Sequence, residues 1–316
     1  MEHCKRNFQR KEIKMVKIGI DVGNFNVKDS NGMIFESGYT VSDTEPVSMD
    51  NTFVMDGKYY TFGKRLPVDM KKNENGRAWI SSIPCIANAI LQDSKYQPGK
   101  VAKVKVGVGI PAGLYGAEKE KTRNTYMDNG KGPVKVIFRN TEIAFIIEEA
   151  YVFPQGVSAY IAKSPELREF DYLNCIDIGG YTVEVTPVMD YKINPSDCFS
   201  LEFGTIFLIN RIRDRLFEMN ITLSDSQICK VMVTGCIRHM DSKTIINLID
   251  EEKERYVYEL KQMIAERKVD LRIPVCTQGG GSALLKKDLD NQMDCVAHYG
   301  SFVNADSYLK LMNKRA

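Results

Sequence analysis

The sequence lacks the features that would place it in a membrane or direct it out of the cell. It contains no run of eighteen apolar residues, so we expect no transmembrane helix. The basic segment 1–14 is followed by no apolar stretch as long as a signal peptide needs, and we interpret it as an N-terminal tail. We therefore expect a cytoplasmic protein that has no contact with a membrane.

Cysteine spacing and scarce histidine argue against a disulfide scaffold or a zinc ribbon. The eight cysteines include no CxxC pair, and only three histidines are present to join them. Disulfide scaffolds are typical of short secreted chains, whereas this chain has 316 residues. We expect free thiols in a reducing compartment, most of them small residues of the core.

The sequence has little excess charge of either sign. Lysine and arginine number 43 against 41 acidic residues, which gives a formal net charge of +2. Proteins that grip DNA directly usually carry a basic face, so we expect no direct DNA contact. With 43% hydrophobic residues, the chain is long enough for two domains or one large one.

The hydrophobic pattern predicts a mixed α/β protein in which strand–turn–strand units recur. The first unit pairs a strand at 15–22 with a strand from Val27 onward, and Asp56-Gly57 predicts another hairpin. Further strands are predicted at 103–110, 172–178, 183–188, 230–234 and 273–276, with two more strands within 134–147. Helices are predicted at 80–91, 155–163, 204–219, 247–267, 282–289 and 302–312.

Two loops, about half the chain apart, share one order of residue types. Each starts with an aspartate at the end of an apolar strand and continues through glycine and small polar residues into a second strand. The candidate binding residues are Asp21, Gly23, Asn24, Asn26 and Lys28 in the first loop, and Asp177, Gly179, Gly180, Tyr181 and Thr182 in the second.

This order of residues suits a phosphate group. Glycine lets the backbone approach an anion closely, and exposed N–H groups of such a turn can point at it. Lys28 offers a compact positive charge for the β- and γ-phosphates. Asp21 and Asp177 need a cation between themselves and phosphate, so we expect them to hold hydrated Mg²⁺. A single loop of this kind is also typical of an ordinary β-turn. Two of them, one from each of two domains, could bind the phosphates of one nucleotide between them.

A third glycine loop, residues 276–282, lies between a predicted strand and a predicted helix. Its candidate residues are Gly279, Gly280, Gly281 and Ser282, which could pack closely against a base or ribose. No Lys-Ser or Lys-Thr pair follows the glycines, so this is not a P-loop, and the first strand lacks a dinucleotide fingerprint. A tight strand-to-helix turn is the alternative.

These three loops resemble motifs of the superfamily of actin, sugar kinases and heat-shock chaperones. GIDVGNFNVK resembles its first phosphate motif, CIDIGGYTVEV its second, and VCTQGGGSALL its adenosine motif. Within it, FPQGVSA at 153–159 and FVNA at 302–305 resemble segments of ParM-like plasmid-segregation proteins. The resemblance implies an α/β, actin-like two-lobed fold in which each lobe is an RNase-H-like sheet flanked by helices. Domain I would span 15–155 and be completed by a C-terminal helix at about 300–316, and domain II would span 156–299.

The same resemblance implies function. It predicts a nucleoside triphosphatase that uses ATP, or GTP, with Mg²⁺, polymerises with itself into filaments, and segregates plasmid DNA through a DNA-bound adaptor protein. Gln155 would orient the attacking water, Asp177 would help hold magnesium and assist the water, and Glu202 would bond the ribose or base edge.

Several alternatives remain open at the level of sequence. Gln155 could cap the following helix, and Glu202 could be a solvated acid at a helix start. The chain could also be a small-metabolite kinase of the same superfamily, or a nucleotide-sensing module that barely hydrolyses. No residue that reads the base is identifiable, which leaves ATP against GTP undecided.

Overall fold

The computed structural model describes residues 15–64, 76–163, 167–236 and 242–315. The expected tail, residues 1–14, lies outside the described residues. Within them the chain forms two β-sheets flanked by α-helices. None of the helices described is both long enough and apolar enough to cross a membrane.

The first sheet contains nine strands in the order β3-β2-β1-β7-β9-β8-β5-β6-β4. The strands are β1 (Val16–Val22), β2 (Asn26–Asp29), β3 (Ile34–Glu36), β4 (Tyr39–Ser42), β5 (Thr52–Met55), β6 (Lys58–Phe62), β7 (Val101–Ile110), β8 (Val134–Phe138) and β9 (Thr141–Pro154).

The second sheet has the order β12-β11-β10-β14-β15, with β13 paired to β11. The strands are β10 (Tyr172–Ile178), β11 (Val183–Met189), β12 (Lys192–Ile193), β13 (Phe199–Leu201), β14 (Val275–Gln278) and β15 (Cys295–His298). The α-helices within the described residues are α1 (Arg77–Gln92), α2 (Tyr115–Asn129), α3 (Ser158–Lys163), α4 (Thr205–Glu218), α5 (Asp225–Thr234), α6 (Ser242–Glu266), α7 (Gly280–Gln292) and α8 (Val303–Lys314).

The two sheets contain the same five-strand arrangement. In the first, β1 pairs antiparallel with β2 and parallel with β7, which continues parallel to β9. In the second, β10 pairs antiparallel with β11 and parallel with β14, which continues parallel to β15. When these five strands are numbered by their order along the chain, both sheets have the strand order 3-2-1-4-5. This shared order confirms the expected actin-like fold of two RNase-H-like lobes.

The C-terminal helix α8 packs against β1 and β7 of the first sheet and against α3. Its close approach depends on Gly19, where an added Cβ would lie 2.0 Å from the carbonyl oxygen of Ala305. The C-terminal segment thus packs on the first sheet, and the predicted division into domains stays a prediction.

Two sequence-based expectations about secondary structure are wrong. The helix expected at 155–163 begins only at Ser158, because β9 continues through Pro154 and Gly156 forms a turn with φ of 77°. The strand expected at 230–234 is the second half of α5. A capping box between Ser224 and Gln227 starts that helix, and its buried residues Ile228, Val231 and Met232 have helical spacing.

Candidate functional site

A cavity of about 370 Å³ lies between the two lobes, where the central strands of both sheets end. Thirteen of the sequence-predicted residues line it: Asp21, Gly23, Asn24, Asn26, Lys28, Gln155, Asp177, Gly179, Gly180, Tyr181, Thr182, Gly279 and Gly280. The fold thus brings all three glycine loops to one place, although they lie far apart in the sequence.

The two hairpin loops have the same internal geometry. Gly23 N–H donates to the carbonyl of Asn26 at 3.1 Å, and Gly179 N–H donates to the carbonyl of Thr182 at 2.9 Å. In each pair of strands the leading aspartate lies opposite the residue seven positions later. Asp21 faces Lys28 across the first hairpin, and Asp177 faces Glu184 across the second.

The hairpins also contact each other. A Cβ added to Gly180 would lie 2.3 Å from the Cβ of Phe25, so only glycine allows the first hairpin to come this close. Phe25 packs against the hydrophobic core of the second lobe. The contact fixes the spacing of the two loops at the cavity.

Asp21 is a buried carboxylate, only 5% exposed, at the end of β1. Its Oδ1 accepts a hydrogen bond from Gln155 Nε2 at 3.1 Å. Its Oδ2 lies 3.8 Å from the Lys28 ammonium, whose side chain is 12% exposed. One amide and one cation therefore compensate this charge.

Asp177 is equally buried at the end of β10, but its partners are two amides. Its Oδ2 accepts from Asn304 Nδ2 at 2.8 Å and from Gln278 Nε2 at 3.0 Å. Burial raises the pKa of Asp177, the Gln278 amide lowers it, and the negative charge of Asp21 raises it further. The charge of Asp21 therefore reaches Asp177 across the cavity.

Helix α8 supplies contacts that the candidate list drawn from the sequence did not contain. Asn304, in its first turn, lines the cavity and accepts a hydrogen bond from Ser158 Oγ at 2.8 Å. Burial, together with the charges of Asp21 and Asp177, raises the pKa of the Tyr308 phenol. Asn304 belongs to the FVNA segment, whose resemblance to ParM-like proteins marked it in the sequence. Its contact with Asp177 could not be predicted, because the two residues are 127 positions apart.

The third loop reaches the cavity through its first two glycines. Gly279 has a φ of 91° and precedes α7, and a Cβ added to it would lie 2.4 Å from Asp177 Oδ1. Gly281 and Ser282 are not among the lining residues, since Gly281 packs on Ile178 and Ser282 Oγ lies 2.6 Å from Thr277 Oγ1. Their predicted contact with a ligand is untested.

Glu202 also lies outside the lining residues. Its side chain is exposed and accepts a hydrogen bond from the Tyr181 phenol, which raises the pKa of Tyr181. Its predicted contact with ribose or base stays a prediction.

Further lining residues were not anticipated. They come from the end of β7 and the segment that follows it into α2, from β11 and from the segment around β13: Gly109, Pro111, Gly113, Leu114, Glu118, Glu184, Cys198, Phe199 and Ser200. Glu184 is buried, and its Oε1 accepts from Ser200 Oγ at 2.6 Å. The sequence indicated Glu184 indirectly, because Glu184 follows Asp177 by the same seven positions by which Lys28 follows Asp21.

Comparison with known proteins agrees with this geometry. Residues 19–157 match the family described as the N-terminal domain of actin-like proteins. A search of curated protein sequences found no match to this chain.

Solved structures with the same fold cover nearly the whole chain. The archaeal actin homologue Ta0583 is 19% identical, with a TM-score of 0.70 over 96% of this chain and 100% of its own. Bacillus thuringiensis ParM, solved with ATP, is 15% identical, with a TM-score of 0.69 over 96% of this chain and 100% of its own. The Alp12 filament subunit is 19% identical, with a TM-score of 0.63 over 95% and 99% of the two chains. Residues 19–157 therefore resemble the N-terminal domain of actin-like proteins, and the whole chain has the actin-like fold that Ta0583, ParM and Alp12 share.

Proposed function

We propose that the interlobe cavity binds a nucleoside triphosphate with Mg²⁺ and that the chain hydrolyses it, with ATP as the expected nucleotide. The observation that carries the proposal is the meeting of two matched hairpins, one from each lobe, which bring Asp21 and Asp177 to one cavity. The fold likeness to a ParM solved with ATP, AMPPNP and ADP supports it.

The donor set of the cavity fits magnesium and phosphate. The negative charge of Asp21 and burial both raise the pKa of Asp177, and a divalent cation between the two carboxylates relieves the cost of ionising Asp177. Asp21 and Asp177 would hold the ion, which supplies neutralisation of the phosphate charge. The N–H groups of Asn24 and Gly180 lie in the turns where backbone donors are available to the phosphates.

Gln155 is oriented by Asp21. Because its Nε2 donates to Asp21, its Oε1 is left to accept a hydrogen bond from a water molecule. An amide is a poor base, so its contribution is to position the attacking water, as glutamine does in other phosphoryl-transfer enzymes. Since Gln155 precedes α3 by three residues, its side chain faces the cavity from a turn.

We further propose that the chain assembles into filaments in a nucleotide-dependent manner and acts in plasmid partition in the cytoplasm through a DNA-bound adaptor. The fold likeness to the Alp12 filament subunit and to ParM supports self-assembly. The near-balanced charge of the chain supports an adaptor between filament and DNA.

Light scattering, sedimentation and phosphate release test this function together. ATP or GTP with Mg²⁺ is added to the purified chain, and we expect rapid pelleting followed by delayed release of phosphate. Soluble protein that consumes ATP only with a hydroxylated metabolite would instead indicate a kinase. Pelleting without phosphate release would indicate a nucleotide sensor. The Asp177→Asn variant serves as control and is expected to release no phosphate above background.

A further inference from the structure

A cluster of metal-binding side chains lies outside the interlobe cavity, where α7 meets β15. Its members are Asp290 near the end of α7 and Cys295 and His298 at the two ends of β15. One donor atom from each residue, a carboxylate oxygen, a thiol sulfur and an imidazole nitrogen, lies within 4.8 Å of the other two. Cysteine spacing alone gave no sign of it, because the fold brings together residues from two elements.

From this convergence we propose that Asp290, Cys295 and His298 form a binding site for Zn²⁺ or a similar borderline-soft divalent cation. Thiolate, imidazole and carboxylate are the three ligand types that zinc accepts, and three protein ligands leave a fourth position for water. Asp290 is 44% exposed, so that position faces solvent.

The imidazole is held in the orientation that a ligand needs. His298 Nδ1 lies 2.6 Å from Thr277 Oγ1, which in turn lies 2.6 Å from Ser282 Oγ. A ligating histidine characteristically gives its second ring N–H to such a partner, which fixes the ring and leaves Nε2 for the metal. Nε2 is the atom that faces Asp290 Oδ1, at 2.7 Å.

Little movement is needed to admit an ion. In a tetrahedral site with bonds of about 2.0 Å, the oxygen and nitrogen ligands lie about 3.3 Å apart, so they must separate by roughly half an ångström. Rotation of the half-exposed Asp290 side chain provides this, while His298, 14% exposed, stays in place.

The local charge favours a cation. Asp290 and Asp294 place two carboxylates near the Cys295 thiol. A zinc ion that binds here displaces the thiol proton and offsets the two negative charges.

The site is separate from the proposed nucleotide cavity but connected to it through β14 and α7. Successive residues of a strand face opposite sides of the sheet. Gln278 of β14 accordingly bonds Asp177, whereas the neighbouring Thr277 bonds His298. Bound zinc would tie β15 to the end of α7 and stabilise the second lobe.

Metal binding to the purified 316-residue chain tests the proposal. His3 and Cys4 are adjacent in the sequence and could bind metal themselves, so all proteins carry Cys4→Ser. After removal of metal with chelator, Zn²⁺ affinity is measured by competition with a chromophoric chelator, and Co²⁺ is added as a spectroscopic probe. We expect one ion per chain, a thiolate-to-cobalt charge-transfer band, and a higher melting temperature with Zn²⁺.

Variants identify the ligands. Cys295→Ser and His298→Asn should each weaken zinc binding by more than about 100-fold, and Thr277→Val, which removes only the partner of the imidazole, by about 10- to 100-fold. The matched control is Cys236→Ser, an exposed thiol of the same lobe, which should bind zinc as the parent does. Absence of binding at micromolar zinc, or equal binding by the parent, Cys295→Ser and His298→Asn, would overturn the proposal. If a variant fails to fold, the cobalt spectrum of the parent decides, and a spectrum without the thiolate band is the contradicting result.

Discussion

The two phosphate-type hairpins have the same backbone but opposite charges at matched positions. Across the first hairpin, Asp21 faces a lysine, Lys28, and across the second, Asp177 faces a glutamate, Glu184. The first aspartate is compensated by a cation and the second by two neutral amides. The comparison teaches that one duplicated scaffold can divide the work. Under the proposed function, the first hairpin would provide positive charge for phosphate, and the second would gather negative charge for a metal ion and for water.

The largest effect is expected from Gln155, whose amide is hydrogen-bonded to Asp21 of the first hairpin. Gln155→Ala should lower nucleotide hydrolysis by about 100-fold, because misplacing the attacking water by about an ångström costs roughly that factor. Binding of the diphosphate should stay unchanged, since Gln155 bonds Asp21 and not the phosphate turns. Single-turnover phosphate release measures the hydrolysis rate, and calorimetry measures the affinity for the diphosphate. Hydrolysis at the parent rate would remove Gln155 from the mechanism.

The Asn304 amide, which bonds Asp177 of the second hairpin, should contribute to the free energy of unfolding. Asn304→Asp replaces a donor to Asp177 with a second carboxylate 2.8 Å from it. Losing a hydrogen bond to a buried charge costs roughly 1.5 to 3 kcal/mol, and repulsion adds to that. Urea unfolding of the nucleotide-free chain measures the loss, with the exposed Asn291→Asp as matched control. Equal stability of the two variants would contradict a role for Asn304 in holding Asp177.

Lys28 and Glu184 should respond in opposite directions. Lys28→Met should weaken binding of a triphosphate about tenfold, the equivalent of a charged hydrogen bond of roughly 1.5 kcal/mol, and weaken a diphosphate less. Glu184→Gln removes a negative charge from the cavity and should leave triphosphate binding equal or slightly tighter. Calorimetric titration with a non-hydrolysable ATP analogue compares them, with exposed Lys135→Met as control. A similar loss of triphosphate affinity in both variants would contradict the proposal that the two hairpins carry opposite charges for different purposes.

The smallest effect concerns pH and the buried charge of Asp177. Its pKa is raised in the folded chain, so between the ordinary value for aspartate and the raised one only the folded state keeps the proton. Stability should therefore fall as pH rises through that window and then level off. Asp177→Asn cannot titrate and should be the more stable protein at neutral pH, with an advantage that disappears towards low pH. Urea unfolding over a pH series checks the sign, and an advantage that grows as pH falls would contradict it.

Local patterns predicted the hairpins well, because each is a strand, a glycine turn and a strand that follow one another directly. Residues 172–178 and 183–188 were placed to within a residue of β10 and β11. The glycine loop before α7 was likewise visible as a strand-to-helix turn.

The sequence could not predict what depends on the assembled fold. The second amide partner of Asp177 comes from α8, 127 residues away, and no spacing rule connects them. The apolar run at 230–234 suggested a strand, but the capping box at Ser224 and packing against α4 and α6 make it helical. Glu202 was proposed for its place before α4, yet its exposed side chain bonds Tyr181 and is not among the residues that line the cavity.

A double-mutant cycle on the two aspartates tests the central claim most directly. Affinity for a non-hydrolysable ATP analogue with Mg²⁺ is measured by calorimetry for the parent, Asp21→Asn, Asp177→Asn and the double variant. If both carboxylates serve one magnesium–nucleotide complex, each single change should weaken binding and the double variant should be little worse than the weaker single one. Losses that simply add, or a single variant that binds as the parent does, would contradict a shared site.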